Sequence, residues 1–388
     1  MSKWRPHIYR AAANRAGVAS SIIDAAIKVG TVVVAKNPNV TPIFSLGHLA
    51  HLSGAPYLYL REIIKRKCDP YRIFTIRKRN VKSGFRTICV PSRPLMQLQR
   101  WLVDRVLNHG SPHAASTAFA PESSIMDAAE PHAGCRWLIK VDIRNFFESI
   151  SEIAAYRVFH DQFGFQELVS FELARLCTRK GPVSAFRSRS RWWSHRTRYT
   201  KIPFYHAPKM GHLPQGAPTS PMLANLSVRA MDERFQSLAV SEGLIYTRYA
   251  DDLAFSYRSD ANAKGAKGTR SAAPIGALLR GVTQILKGEG FRLNAKKTTV
   301  LRRGNAQRVT GLIVNAPNKE GVPAARVARD VVRKLKAAIW NREHGRPAMG
   351  EESLAQLKGM AAFIHMADAK RGRALLDRIV ALEAREHL

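Results

Sequence analysis

Cysteine is scarce in this chain of 388 residues. The four that occur, Cys68, Cys89, Cys135 and Cys177, stand far apart and form no CxxC pair. That spacing excludes a zinc ribbon or a disulfide framework and suits a reducing cytoplasm. All four are expected to be small buried apolar side chains. Long apolar runs are missing too: none approaches the roughly 18 residues that a bilayer span needs, so no membrane partner is expected. The deepest deficit is in acid. Twenty-nine Asp and Glu face 62 Lys and Arg, a net charge of +33. A compact state with that excess repels itself unless a polyanion lies against it. Clustered Lys and Arg bind phosphates by releasing counterions. Basic residues run through the whole chain, which favours nucleic acid over a merely soluble basic surface or a membrane surface. The opening stretch, "MSKWRPHIYRAAANRAGVASS", contains no acid at all. It is basic like an organelle transit peptide but lacks the apolar core of a secretory signal. A nucleic-acid-facing extension is the expectation.

What is present falls into segments of distinct period. Residues 1–30 have helical spacing, with Ile22, Ile23, Ala26 and Ile27 on one side. A second helical region covers "LGHLAHLSG" and "PYLYLREIIKRK". Residues 71–92 alternate apolar and basic around "KSG", the pattern of a hairpin with a basic tip. Residues 93–110 are amphipathic and end at Gly110. "CRWLIKVDIRNFF" opens as a buried strand, and helix is expected over about 151–179. Residues 181–210 and 258–274 have the composition of insertions. Helix returns over 274–290, short strands over 291–315, and basic helix from about 323 to the end.

Three stretches carry residues suited to chemistry. In "YADDLAFSY" two adjacent acids, Asp251 and Asp252, interrupt an alternating strand pattern. The pair falls at the tight centre of a strand–turn–strand unit, where it is either an acidic turn or two arms of a metal site. Asp142 ends the apolar strand of "WLIKVDIRNFF", as a helix cap or as a third arm. Beside the hairpin, Asp142 and Asp251 could hold two Mg²⁺ ions, which need few carboxylates when substrate phosphates complete the shell. In "LPQGAPTSPMLANL" a proline-rich loop presents Gln215, suited to a nucleotide or template backbone, before a helix starting near Ser220.

In this order the three stretches resemble the motifs of reverse transcriptases: "VDIRNFF" the first aspartate box, "LPQGAPTSP" the loop, "YADD" the metal-binding box. "FRTICVPS" resembles the motif whose arginine, here Arg86, contacts the incoming triphosphate, with Lys78 or Arg79 assisting. "NAKKTTVL" resembles the motif with a lysine near the pyrophosphate, Lys297. Phe147 falls where the family's steric gate excludes a 2′-OH. The resemblance implies an α+β fold with right-hand polymerase architecture. It places a helical N-terminal extension at 1–35, fingers and palm at 36–318, and a helical basic thumb at 319–388. It implies catalytic, metal-binding roles for Asp142, Asp251 and Asp252, and a nucleotide pocket of Lys78, Arg79, Arg86, Phe147, Gln215 and Lys297.

Within that family the chain most resembles retron enzymes. "RVTGLIVN" carries Val309, Thr310 and Gly311, matching a triplet these enzymes use near their structured RNA. "DAAEPH", ending at His132, stands where they carry Asn-Ala-x-x-His; here Asp127 replaces the Asn. His132 is either a packed or solvated loop histidine or a functional one. Retron resemblance implies a noncoding RNA as template and primer, priming from its 2′-OH, a branched RNA–DNA product (msDNA), dNTPs, an effector protein partner, and anti-phage defence in a bacterial cytoplasm. Arg326, Arg329, Arg333, Lys334 and Lys336 are spaced so that several share a helix face, as an RNA-binding thumb that grips the primer–template duplex or as a solvated basic helix. Arg187, Arg189, Arg191, Trp192, Trp193, His195, Arg196 and Arg198 suit RNA stacking and phosphate contact or form a basic loop. Two alternatives stand beside this: a group II intron-like or abortive-infection reverse transcriptase, and a catalytically silent RNA-binding scaffold.

Overall fold

The alternation around residues 71–92 forms the expected hairpin. Strands β1 (Tyr71–Arg77) and β2 (Phe85–Pro91) pair antiparallel, Tyr71 opposite Pro91 and Arg77 opposite Phe85. The computed structural model describes residues 4–77, 85–180, 211–257, 275–315, 321–346 and 352–386. The hairpin tip with Lys78 and Arg79, and the segments 181–210 and 258–274, lie outside them. Helices and antiparallel strands make an α+β fold divided into two compact units. The first comprises residues 1–121, 143–235 and 282–293; the second comprises 122–142, 236–281 and 294–388.

The first unit holds the β1–β2 hairpin and is otherwise mainly helical. Helix Arg93–Arg105 buries Leu95, Leu98, Gln99 and Leu102, the i, i+3, i+4, i+7 stripe that its sequence spells out. Each such leucine contributes about 1.5–3 kcal/mol by leaving water. Gln99 donates from Nε2 to the Tyr71 hydroxyl and to the Leu176 carbonyl, both at 2.9 Å, tying β1 to helix Glu167–Cys177. Glu152, fully buried, ion-pairs with Arg66 and Arg175, each at 2.5 Å. It also accepts the Gly211 N–H at 2.7 Å.

The second unit is built on a four-stranded antiparallel sheet in the order β4 (Ile245–Tyr249), β5 (Asp252–Tyr257), β3 (Trp137–Asp142), β6 (Thr299–Arg302). Consecutive residues Leu138, Ile139 and Val141, Asp142 of β3 are all buried, which explains its nearly continuous apolar run. A small ribbon, β7 (Arg308–Val309) with β8 (Leu312–Ile313), follows. Leu138 and Ala254 of the sheet share one core with Val309, Leu312, Leu335, Ile339, Leu357 and Ile379. The C-terminal helices Arg329–Glu343, Leu354–Ala367 and Ala369–Glu386 therefore pack in the same unit as the sheet. Gly372 allows the last two to meet: a Cβ there would lie 2.2 Å from the His365 Cα.

Two expectations need correction. Cys68 is exposed, whereas Cys89, Cys135 and Cys177 are buried. The C-terminal helix starts at Arg329, not near 323. Arg326 lies before it and exchanges both backbone hydrogen bonds with Ile313, at 2.7 and 3.0 Å. Bridging to a strand gave that segment a backbone partner that helical spacing could not reveal.

Candidate active site

The centre of the site is a turn under constraint. Tyr249 of β4 pairs with Asp252 of β5, so Ala250 and Asp251 alone make the connection. Ala250 has φ +55°, a left-handed conformation that costs a residue with a Cβ about 1–2 kcal/mol. Arg248, fully buried, donates from Nη1 to the Ala250 carbonyl at 3.1 Å and braces the turn. His132 braces the strands behind it. Its Nδ1 meets Ser256 Oγ on β5 at 2.6 Å and its Nε2 meets Thr247 Oγ1 on β4 at 2.8 Å. Thr247 donates its own proton to the Ala128 carbonyl at 3.0 Å, so His132 Nε2–H is the donor to Thr247. His132 is a packed, fully buried strut, joined to the hairpin rather than solvated in a loop.

Asp142 ends β3 directly opposite Asp252 in β5, and opposed residues of an antiparallel pair share a face. The turn of "NAKKTTVL" closes on it. Asn294 donates from Nδ2 to Asp142 Oδ1 at 2.7 Å and from its backbone N–H to the Asp142 carbonyl at 2.8 Å. Lys297 Nζ donates to Asp142 Oδ2 at 2.5 Å. Pairing of β6 with β3 through Thr299 and Lys140 fixes this proximity.

Charge here is unbalanced. Burial, then the Asp252 and Asp142 carboxylates, push the Asp251 carboxyl up to about 6. Asp252 is exposed at the start of β5; partial desolvation of its carboxyl raises it, Lys140 opposes that, Asp142 adds to it, and Lys297 opposes it. Burial alone would lower the Lys297 ammonium, but its hydrogen bond to Asp142 and the three carboxylates outweigh that and raise it. Among the described residues no three His, Cys, Asp or Glu side chains stand close enough to enclose an ion unaided. Lys297 and Asn294 instead occupy both oxygens of Asp142. The donors are nevertheless hard oxygens with negative charge in excess, the set that Mg²⁺ takes when other ligands complete its shell.

Comparison with known proteins decides the family. A family model described as reverse transcriptase (RNA-dependent DNA polymerase) matches residues 76–316. The retron Ec86 reverse transcriptase of Escherichia coli is 31% identical over 324 residues, covering 84% of this chain and 85% of its own. The chain belongs to the retron-type reverse transcriptases. The retron Mx162 reverse transcriptase of Myxococcus xanthus is 41% identical over 315 residues, which are 81% of this chain and 61% of that relative. A solved telomerase from Candida albicans, in complex with a fragment of telomeric RNA, covers 80% of this chain and 57% of its own. Its TM-score is 0.37 at 13% identity, too loose a likeness to carry an argument.

The first unit of this reverse transcriptase holds Arg86, Phe147 and Gln215. The Cys89 N–H donates to the Gln215 carbonyl at 2.7 Å, fastening the proline-rich loop to β2. Gly216 has φ +110° and a Cβ there would lie 2.9 Å from Ile88 Cγ2, so only glycine fits. Ser220 Oγ donates to the Pro214 carbonyl at 2.7 Å and closes the loop. Arg86 is exposed on the same strand β2, opposite Ile76. Phe147 is half-buried in the short helix Phe146–Ser149, against Phe146, which in turn meets Phe291.

In the second unit, Val309 is buried in the core, while Thr310 and Gly311 form the β7–β8 turn with φ +49° and +90°. Thr310 Oγ1 reaches the Ile125 carbonyl at 3.0 Å. Arg329 and Arg333 are exposed on one helix with Lys334 and Lys336. The residues that sequence reasoning missed are Asn294, Arg248 and Lys140. Asn294 stood in the quoted "NAKK" stretch, but no local signal marks a buried arginine as a turn brace.

Proposed function

We propose that this reverse transcriptase copies a structured noncoding RNA into DNA, priming from a 2′-OH of that RNA to give a branched RNA–DNA molecule, in the service of anti-phage defence. The observation that carries the polymerase reading is the Asp142–Asp252 register beside the braced Ala250–Asp251 turn. On this reading residues 1–35 are an N-terminal extension, 36–318 fingers and palm, and 319–388 a thumb. Two Mg²⁺ ions held by Asp142, Asp251 and Asp252 would activate the attacking hydroxyl and stabilise the leaving pyrophosphate.

The chain's own residues do the rest. Asn294 orients the Asp142 carboxylate, and Lys297 neutralises it until substrate arrives, then faces the triphosphate. Arg86, with Lys78 or Arg79, clamps the phosphates by charge-assisted hydrogen bonds. Phe147 and Gln215 shape the sugar and base positions. Thr310 and Gly311, with Arg326, Arg329 and Arg333, contact the RNA; the Val309 side chain supports the turn from the core. dNTPs are the substrates, an effector protein is the expected partner, and the bacterial cytoplasm the expected location. Among the described residues no helix is long and apolar enough to cross a membrane. The test is synthesis by purified protein given its RNA, dNTPs and Mg²⁺. DNA covalently joined to RNA is expected, and loss of it in Asp251→Ala and Asp252→Ala. No DNA from the unaltered protein overturns the reading.

A further inference from the structure

Helix Ser20–Lys36 carries a buried glycine in its interior, Gly30, where glycine weakens a helix. A Cβ there would stand 2.6 Å from Trp4 Cζ2, so the glycine seats the Trp4 indole. Trp4, Tyr9 and Phe44 form a triangle of rings with centroids 5.3, 5.4 and 5.4 Å apart. His48 stacks on Phe44 at 4.9 Å with planes 4° apart. With Trp101 and Arg105 (ion-paired to Asp104) these rings line a cavity of about 470 Å³, entirely within the first unit. That volume suits a ligand of nucleotide size.

The edges of these rings lack partners. Trp4 Nε1 is buried with no hydrogen-bond partner, on the ring edge that lies over Gly30. His48 Nδ1 accepts the Phe44 N–H at 3.3 Å, which leaves Nε2 to carry the ring proton. Burial, reinforced by His51, lowers the His48 pKa and favours that neutral form. Among the described residues nothing pairs with His48 Nε2, the Trp101 indole N–H or the Tyr9 hydroxyl. Aromatic rings whose edge donors make no hydrogen bond within the protein suit a nucleobase, which stacks on a ring and offers acceptors to the donors. An apolar peptide side chain in the cavity would offer those donors no acceptor. Arg5 and Arg15 lie in the same N-terminal segment, where Arg10 is paired with Asp24 at 2.7 Å, and their charge favours a ligand carrying phosphates.

We infer that this cavity binds an unpaired base of single-stranded RNA, at a site separate from the residues assigned to polymerisation. The test uses the full chain and a fluorescent oligouridine, with an RNA duplex of equal length as control. Tyr9→Leu and Trp101→Leu should each weaken oligouridine binding about tenfold and leave duplex binding and DNA synthesis on an annealed primer–template unchanged. Gly30→Ala, which displaces Trp4 from behind, should act in the same direction. A 4-thiouridine oligonucleotide should crosslink the unaltered protein at peptides containing Tyr9 or Phe44, a result independent of any variant's folding. Unchanged oligouridine affinity in both leucine variants, equal losses for duplex and single strand, or crosslinks confined to other peptides would each overturn the inference. The synthesis assay separates such a failure from a failure of the polymerase reading.

Discussion

Glu152 is a fully buried carboxylate and Asp251 a half-buried one, one in each compact unit, and their surroundings differ in kind. Glu152 is fully buried, flanked by Arg66 and Arg175 at 2.5 Å and capped by the Gly211 N–H. Two cations meet one anion, and the carboxylate's charge is compensated within the fold. Asp251 stands with Asp252 and Asp142 at a strained turn, and Lys297 is bonded to Asp142, not to Asp251. The nearby guanidinium of Arg248 braces the turn through a backbone carbonyl. A buried charge kept for architecture is neutralised within the fold. The charge at Asp251 is left short of compensation, as expected of one kept for chemistry.

The comparison can be broken most forcefully by removing one acid from each place. Asp251→Ala should cut DNA synthesis by about three orders of magnitude, the several kcal/mol of transition-state stabilisation that metal ions supply. Its thermal unfolding should stay unchanged or improve, because a like-charge neighbour has gone. Glu152→Gln should do the reverse. Leaving two buried arginines underpaired costs about 3–5 kcal/mol, read as a lower denaturation midpoint, and activity per folded molecule should persist.

A pH series sharpens the contrast. The Asp251 pKa rises from 3.8 to about 6 in the folded protein, so the metal-free native state holds this proton more tightly than the unfolded chain. The group's contribution to stability is fully present below 3.8 and lost as pH rises through about 6. Calorimetry in chelator should show that loss in the unaltered protein and a flatter profile over this window in Asp251→Asn. The smallest effect belongs to the turn. Ala250→Gly should relieve about 1 kcal/mol of left-handed strain, partly offset by the freer unfolded chain, and raise the denaturation midpoint slightly.

Local pattern made much of this legible. The alternation of 244–257 placed a hairpin with both acids at its tip, the apolar run before Asp142 placed a strand end, and "LPQG" placed a tight loop. What stayed hidden depends on partners distant in sequence. Nothing near Glu152 announces Arg66, Arg175 or Gly211, and no periodicity assigns Arg326 to a bridge with Ile313. His132 left two readings open because its hydroxyl partners, Thr247 and Ser256, lie 115 and 124 residues away. Arg248 is fully buried, and nothing in its local alternation marks the turn carbonyl it meets.

The central claim is that the Asp142, Asp251 and Asp252 cluster is under-compensated because it receives divalent cations. Thermal unfolding of the full chain at neutral pH, with and without Mg²⁺, tests it most directly. A ligand that binds only the native state raises the melting temperature by mass action. The account predicts a Mg²⁺-dependent rise in the unaltered protein that vanishes in Asp251→Asn and persists in Tyr9→Leu. No rise with Mg²⁺, or an equal rise in Asp251→Asn, would contradict it.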